Sequence, residues 1–177
     1  VERERSAFCV ESREADIVLE LAQLQIRLRV DRVDRLPDGG RVIIDYKSGT
    51  SNIQHWLGER PERPQLLLYG IAAPGEAAAL AFAQVKSRNC RYVGLGEVAA
   101  APGIRTDIEK VVGNKVDAGD WHTLNEHWRA TLEQLAQAFV DGGAAVDPLS
   151  PNSCTWCGLQ PLCRVEHSAD PQGNAVL

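Results

Sequence analysis

The stretch Leu28–Gly49, LRVDRVDRLPDGGRVIIDYKSG, sets two strand-like runs on either side of a turn and ends on an acid and a lysine two residues apart. Side chains alternate across a strand, so Asp45 and Lys47 project from one face of the run Arg41–Lys47 while Val42, Ile44 and Tyr46 take the other. Upstream, Leu24, Ile26, Leu28 and Val30 share one parity, which leaves Arg27, Arg29 and Asp31 on the opposite, polar side. The turn Pro37-Asp38-Gly39-Gly40 folds the two runs into a hairpin and brings Asp31 beside Asp45.

Two carboxylates on rigid strands suit a hard cation such as Mg2+ or Mn2+, with the remaining positions left to water, a backbone carbonyl and substrate phosphate. In phosphodiester hydrolysis such a cation both activates a nucleophile and acts as a Lewis acid. Lys47 beside it would orient the attacking water and offset charge building on the phosphorane oxygens. The same Asp-x-Lys pattern also describes a surface ion pair on a hairpin, which contributes little. Asp34 competes with Asp31 for the first acid, and alternation puts Asp34 on the face of Leu28 and Val30 unless a bulge intervenes.

Two further segments follow in order: RPQLLLYGIA at 63–72 and CTWCGLQPLC at 154–163. Together with Leu28–Gly49 they resemble the nuclease domain of the RecB and AddB type, a branch of the PD-(D/E)xK superfamily, over about residues 13–164. The likeness extends to AddB-like proteins labelled probable DNA repair proteins, where this domain ends a long helicase-like chain. The resemblance implies an α/β, restriction-endonuclease-like core and a Mg2+- or Mn2+-dependent deoxyribonuclease acting on DNA in double-strand-break processing. Its partner would be a helicase-like region of the same chain or another subunit. It further implies Asp31, Asp45 and the backbone carbonyl of Tyr46 as metal ligands and Lys47 as the catalytic lysine. Gln65 and Tyr69, four apart on one helix face, would sit against the active site, though Tyr69 also reads as a core aromatic. Related nucleases carry a further acid or His on a helix before the first strand, and nothing before Ala15 resembles that helix.

Cys154, Cys157 and Cys163 form CxxCxxxxxC, while Cys9 and Cys90 stand alone. In a chain with no export signal this points to a reducing, cytoplasmic compartment and a metal site rather than a disulfide. The resemblance implies a 4Fe-4S cluster completed by a fourth Cys before the first strand. Cys9 is in the right direction but closer than that ligand usually lies, and zinc is the alternative occupant.

At 177 residues, 44% hydrophobic and 24% charged, the chain suits one substantial globular domain. No apolar run approaches a membrane span, and the absence of Met suggests a piece of a larger protein. A net charge of -5 argues against capture of nucleic acid by bulk electrostatics. Local charge is the alternative: Arg27, Arg29, Arg32, Arg35, Arg41 and Lys47 crowd the acids, and Arg60 and Arg63 precede the Gln65 helix. Of these, Arg29, Arg32 and Arg60 are the expected DNA contacts.

The remaining elements read as strands over 15–21 and 24–36, a loop crossing the site over 48–63, a helix over 64–73, and a hairpin of 78–86 with 91–97. The order gives an α/β class with a mixed central sheet. Residues 98–119 show no clear pattern. A long helix follows, in which Trp121, Leu124, Trp128, Leu132, Leu135 and Phe139 recur at three- and four-residue spacing. Thr123 and Glu126 could form its capping box, and Asp141-Gly142-Gly143 stops it. The expected organisation is a nuclease core over 1–148, the cysteine segment over 149–165 and a disordered tail over 166–177. Two rival readings keep other classes open: a catalytically silent DNA-end scaffold, and a structural metal module in which only the cysteines matter.

Overall fold

Alternating apolar residues and two tight turns build a six-stranded mixed sheet in the order β1-β2-β3-β4-β5-β6. The computed structural model describes residues 2–73, 75, 77–87, 89–150, 152–155 and 157–163. Strands β1 (Cys9–Leu21) and β2 (Leu24–Arg35) form a long antiparallel ribbon around Ala22, whose φ of 50° makes the turn. Strand β3 (Arg41–Lys47) pairs antiparallel with β2. The connecting turn closes as its residues predict: the Leu36 amide donates to the Gly40 carbonyl at 2.8 Å and the Gly40 amide to Asp38 Oδ1 at 2.9 Å.

Strand β4 (Ala79–Lys86) runs parallel to β3, which requires a crossover, and helix α1 (Gln65–Ala72) lies within it. Strand β5 (Asn89–Gly96) returns antiparallel to β4, and the two-residue β6 (Ile104–Arg105) adds parallel to β5. At Gly103 (φ 94°) a Cβ would stand 2.1 Å from the Tyr92 carbonyl oxygen, so glycine is what lets β6 reach the sheet.

The two sheet faces have separate cores. On one, Ile43, Leu80, Phe82 and Leu95 pack with Leu66, Leu67 and Tyr69 of α1 and with Trp121, Leu124, Trp128 and Leu132 of α3 (Trp121–Val140). On the other, Val42, Ile44, Ala79, Ala81 and Tyr92 are covered by Phe8 and by Val98, Ala100 and Ala101. Beneath α3 the aromatic rings are continuous: Trp56 lies 5.1 Å from Phe82 and 6.1 Å from Trp128, edge-on, and Trp128 lies 5.6 Å from Trp121. Trp121 Nε1 donates to the Ala77 carbonyl at 2.7 Å and Trp128 Nε1 to that of Trp56 at 2.9 Å, which satisfies two of the three buried indoles; that of Trp56 has no hydrogen-bond partner among the described residues.

Several sequence expectations need correction. β1 begins at Cys9 rather than Ala15, because Arg35 and Arg41 clamp Glu11 at 2.9 and 3.0 Å and hold an otherwise charged strand to the sheet. The segment 48–63 is not merely a loop over the site: it contains a 3-10 turn, Ile53–Trp56, and buries Ser51, Ile53, Trp56 and Leu57. Helix α3 is capped one residue before Trp121, by Asp120, whose carboxylate accepts from the Thr123 amide at 2.8 Å while Thr123 Oγ1 accepts from the Asp120 amide. Leu135 and Phe139 continue the spacing of the apolar stripe, yet they are 39% and 70% exposed. The patternless stretch 98–119 holds β6, helix α2 (Ile108–Val112) and a 3-10 turn, all too short to show a period.

The chain divides into two compact units at Asp141/Gly142, where Gly142 (φ 81°) follows α3. The second contains α4 (Asn152–Thr155) and α5 (Gln160–Cys163). The expected tail, 166–177, and Arg164 lie outside the described residues. Among the described residues, no helix is long and apolar enough to cross a membrane.

Candidate active site

The C-terminal end of β3 carries the site. Asp45 has the parity of Ile43 and stands opposite Phe82 of β4, both members of the α1-side core, so Asp45 and Lys47 project toward α1. Tyr46 points to the other face with Val42 and Ile44, as alternation predicts. Helix α1 then supplies Gln65 and Tyr69. Lys47 Nζ donates to Gln65 Oε1 at 3.1 Å, and Gln65 Nε2 donates in turn to the Tyr69 hydroxyl oxygen in a short hydrogen bond. Tyr69 is both a buried core aromatic and a member of this chain of contacts.

Asp31 arrives differently. The β2–β3 ladder ends at Arg32–Ile44, and beyond it the Asp31 carboxylate takes the Tyr46 amide on Oδ2 at 2.8 Å. The side chain thus stands in for a further rung and anchors the backbone of Tyr46, whose carbonyl is the third expected ligand. Val30 and Val33 line one small cavity with Ile43 and Tyr69, although three residues apart; so do Ser12 and Ala15 of β1. Both strands therefore change phase around Glu14 (φ 50°) and Asp31.

That change of phase corrects the parity argument for Asp34. Strict alternation put it on the face of Val30, but it lies opposite Val42 on the far face, fully buried. There Arg5 Nη1 and Arg32 Nε reach its two oxygens at 2.7 and 2.6 Å. Arg5 also stacks on Phe8 at 3.9 Å, and Arg32 donates to the Tyr46 hydroxyl at 3.1 Å.

Asp45 is 1% exposed. Lys47 Nζ stands 2.8 Å from its Oδ2 as an ion pair, yet the approach leaves that oxygen buried and without a hydrogen bond. Burial pushes the Asp45 carboxyl above the usual carboxylate range; Lys47 opposes the shift and the Asp31 charge adds to it. Burial likewise raises the Tyr69 phenol, Gln65 partly offsets this, and the charges of Asp45 and Asp31 reinforce it. Tyr69 therefore keeps its proton, and its oxygen already accepts from Gln65, so its O–H is left to donate. A buried carboxylate that faces a second acid and has one ammonium as its counter-charge is a donor set suited to a hard divalent cation. Among the described residues no three His, Cys, Asp or Glu side chains gather as a metal cage, so the acidic donors here are the two carboxylates.

The other sequence-predicted residues disperse. Arg29 is exposed and paired with Glu14 at 2.8 Å. Arg32 is spent on the far face with Asp34, Tyr46 and Glu2. Arg60 lines a surface groove with His127 and Thr131 of α3. Cys9 and Cys90 are exposed in the first unit. Cys154, Cys157 and Cys163 are half-buried in the second and do not converge as a metal site among the described residues. Sequence reading missed Gln84, a 2% exposed amide in the apolar strand ALAFAQVK, and its partner Arg91. The signal was parity, since Gln84 and Phe82 share a face.

The chain is 25% identical, over 142 residues, to one subunit of the ATP-dependent helicase/deoxyribonuclease of Bacillus velezensis, a match covering 65% of this chain and 12% of the relative. The chain thus spans a small part of that relative's length. The solved structure of SSO0001 superposes with a TM-score of 0.47 at 14% identity, over 86% of this chain and 59% of that one. The family model for the PD-(D/E)XK nuclease superfamily matches residues 1–164. With its mixed sheet flanked by helices and an Asp-x-Lys strand end facing a second acid, the chain belongs to the PD-(D/E)XK nuclease superfamily.

Proposed function

We propose that this chain is a Mg2+-dependent deoxyribonuclease domain that hydrolyses phosphodiester bonds, working beside a helicase-like region in DNA repair. The observation that carries the reading is the buried, incompletely paired Asp45 carboxylate facing Asp31, with Lys47 held alongside by Gln65. Asp31, Asp45 and the Tyr46 carbonyl would hold a divalent cation, which when bound supplies Lewis acidity toward the phosphate and acidifies water. Lys47, positioned by Gln65 Oε1, offsets charge growing on the phosphate oxygens, and the protonated Tyr69 hydroxyl presents a further donor on the same side. The helicase/deoxyribonuclease relative supports the choice of DNA and the helicase association. The 4Fe-4S cluster stays outside this reading, because among the described residues the three cysteines do not converge.

Two measurements test it. Calorimetric Mn2+ titration should show one strong site in the wild type and none in Asp45→Ala. Single-turnover cleavage of linear DNA in Mg2+ should be lost in both Asp45→Ala and Lys47→Ala while circular dichroism stays native. Wild-type cleavage rates in either variant would sink the assignment. Mn2+ binding without any cleavage would favour the silent scaffold.

A further inference from the structure

The row of side chains that carries Lys47 continues past β3. Parallel pairing sets Lys47 opposite Gln84, and antiparallel pairing sets Gln84 opposite Arg91. The preceding row is Asp45, Phe82 and Val93, of which the last two pack on the α1-side core, so Lys47, Gln84 and Arg91 share the face of the acids. Lys86, two residues beyond Gln84, shares it too. Two interstrand spacings of about 4.8 Å put the Arg91 backbone on the order of 10 Å from that of Lys47.

These groups are fixed rather than loose. The buried Gln84 amide accepts from Arg91 Nε at 2.8 Å and donates to the Ser51 carbonyl at 3.1 Å. Lys86 Nζ donates to Thr50 Oγ1 at 3.0 Å. One buried amide thus orients the exposed Arg91 guanidinium and pins the loop that follows Lys47, and Lys86 holds that loop from the side. Neither β4 nor β5 contains an acid, so the row carries positive charge alone. Holding Gln84 needs one N–H; a full guanidinium offers a fork suited to phosphate.

We propose that Lys86 and Arg91 form a phosphate track, along which the DNA strand seated at Asp31 and Asp45 leaves across the end of the β4–β5 hairpin. The proposal rests on the nuclease reading and adds the direction of the strand. It also explains how a chain of net charge -5 grips DNA through a local set of cations.

Fluorescence anisotropy of a labelled single-stranded oligonucleotide, titrated at several KCl concentrations in EDTA so that nothing is cleaved, tests it. Arg91→Gln keeps an N–H for Gln84 and removes the charge; it should lower the slope of log K against log salt by about 0.7, the loss of one phosphate contact on a single strand. Lys86→Ala should do the same, and Arg91→Lys should restore the wild-type slope. Unchanged slopes in both Arg91→Gln and Lys86→Ala, with wild-type binding intact, overturn the track and leave the nuclease reading standing. A wild type with no salt-dependent DNA binding removes both. A lower melting temperature for Arg91→Gln with an unchanged slope would make Arg91 a loop support and nothing more.

Discussion

Asp31 and Asp34 lie three residues apart on β2 and meet opposite environments. Asp34, fully buried, spends both oxygens on Arg5 and Arg32 behind the sheet. Asp31, half-buried, accepts one backbone amide and otherwise faces Asp45, whose buried oxygen lacks a hydrogen bond. A carboxylate whose needs are met by fixed cations is architecture, since nothing remains for a ligand to satisfy. Two acids whose repulsion is relieved, among the described residues, by one lysine would on the proposed reading take a cation. The same residue type thus builds the fold on one face and, on the proposed reading, the chemistry on the other.

The sharpest way to break this contrast is to exchange the consequences. Asp34→Ala leaves Arg5, with a side chain 0% exposed, and Arg32 with the longer 3.3 Å contacts to Glu2 as counter-charge, and should cost about 3 kcal/mol in urea unfolding. Its folded fraction should still bind Mn2+. Asp31→Asn keeps an oxygen for the Tyr46 amide, so it should unfold near the wild-type midpoint yet lose Mn2+ binding by calorimetry. The reverse pattern would assign the cation to the wrong acid.

A smaller effect concerns Asp45. Its folded-state pKa is raised, chiefly by burial, so between the unfolded and folded values the native state binds more protons and stability falls as pH rises through that window. Asp45→Asn should therefore raise the melting temperature at neutral pH and flatten its decline between acid and neutral pH, while abolishing cation binding. A variant less stable than wild type at pH 7 would mean that Lys47 already compensates the buried charge. Smallest is Tyr46→Phe, which deletes the bond from Arg32 at a half-exposed hydroxyl; thermal unfolding should register about 0.5–1 kcal/mol and Mn2+ affinity should hold.

Much of the site was legible because strand parity and helical spacing are local. Asp45 and Lys47 share a face by alternation, and Gln65 meets Tyr69 by the four-residue step of α1. Asp34 was misplaced because alternation fails where both β1 and β2 change phase at Glu14 and Asp31, and neither residue announces that break. The charged start of β1 was hidden for a related reason: Glu11 is held by Arg35 and Arg41, partners distant in sequence. Leu135 and Phe139 kept the right spacing for burial, but Trp128, Leu132 and Ala136 take the buried line along α3, and periodicity carries no information about how wide a stripe the partner covers.

The ring cluster under α3 would make loading of the proposed cation optically visible. Phe82 stands opposite Asp45 in the ladder, its ring lies 6.0 Å from the Lys47 ammonium, and Trp56 sits against it at 5.1 Å. A divalent charge arriving at Asp45 changes the local field on that ring pair and displaces the ammonium's hold on the acid, and Trp56 is linked edge-on to Trp128. Intrinsic tryptophan emission should therefore shift on titration with Mg2+, giving an unlabelled readout of site occupancy that needs neither substrate nor turnover.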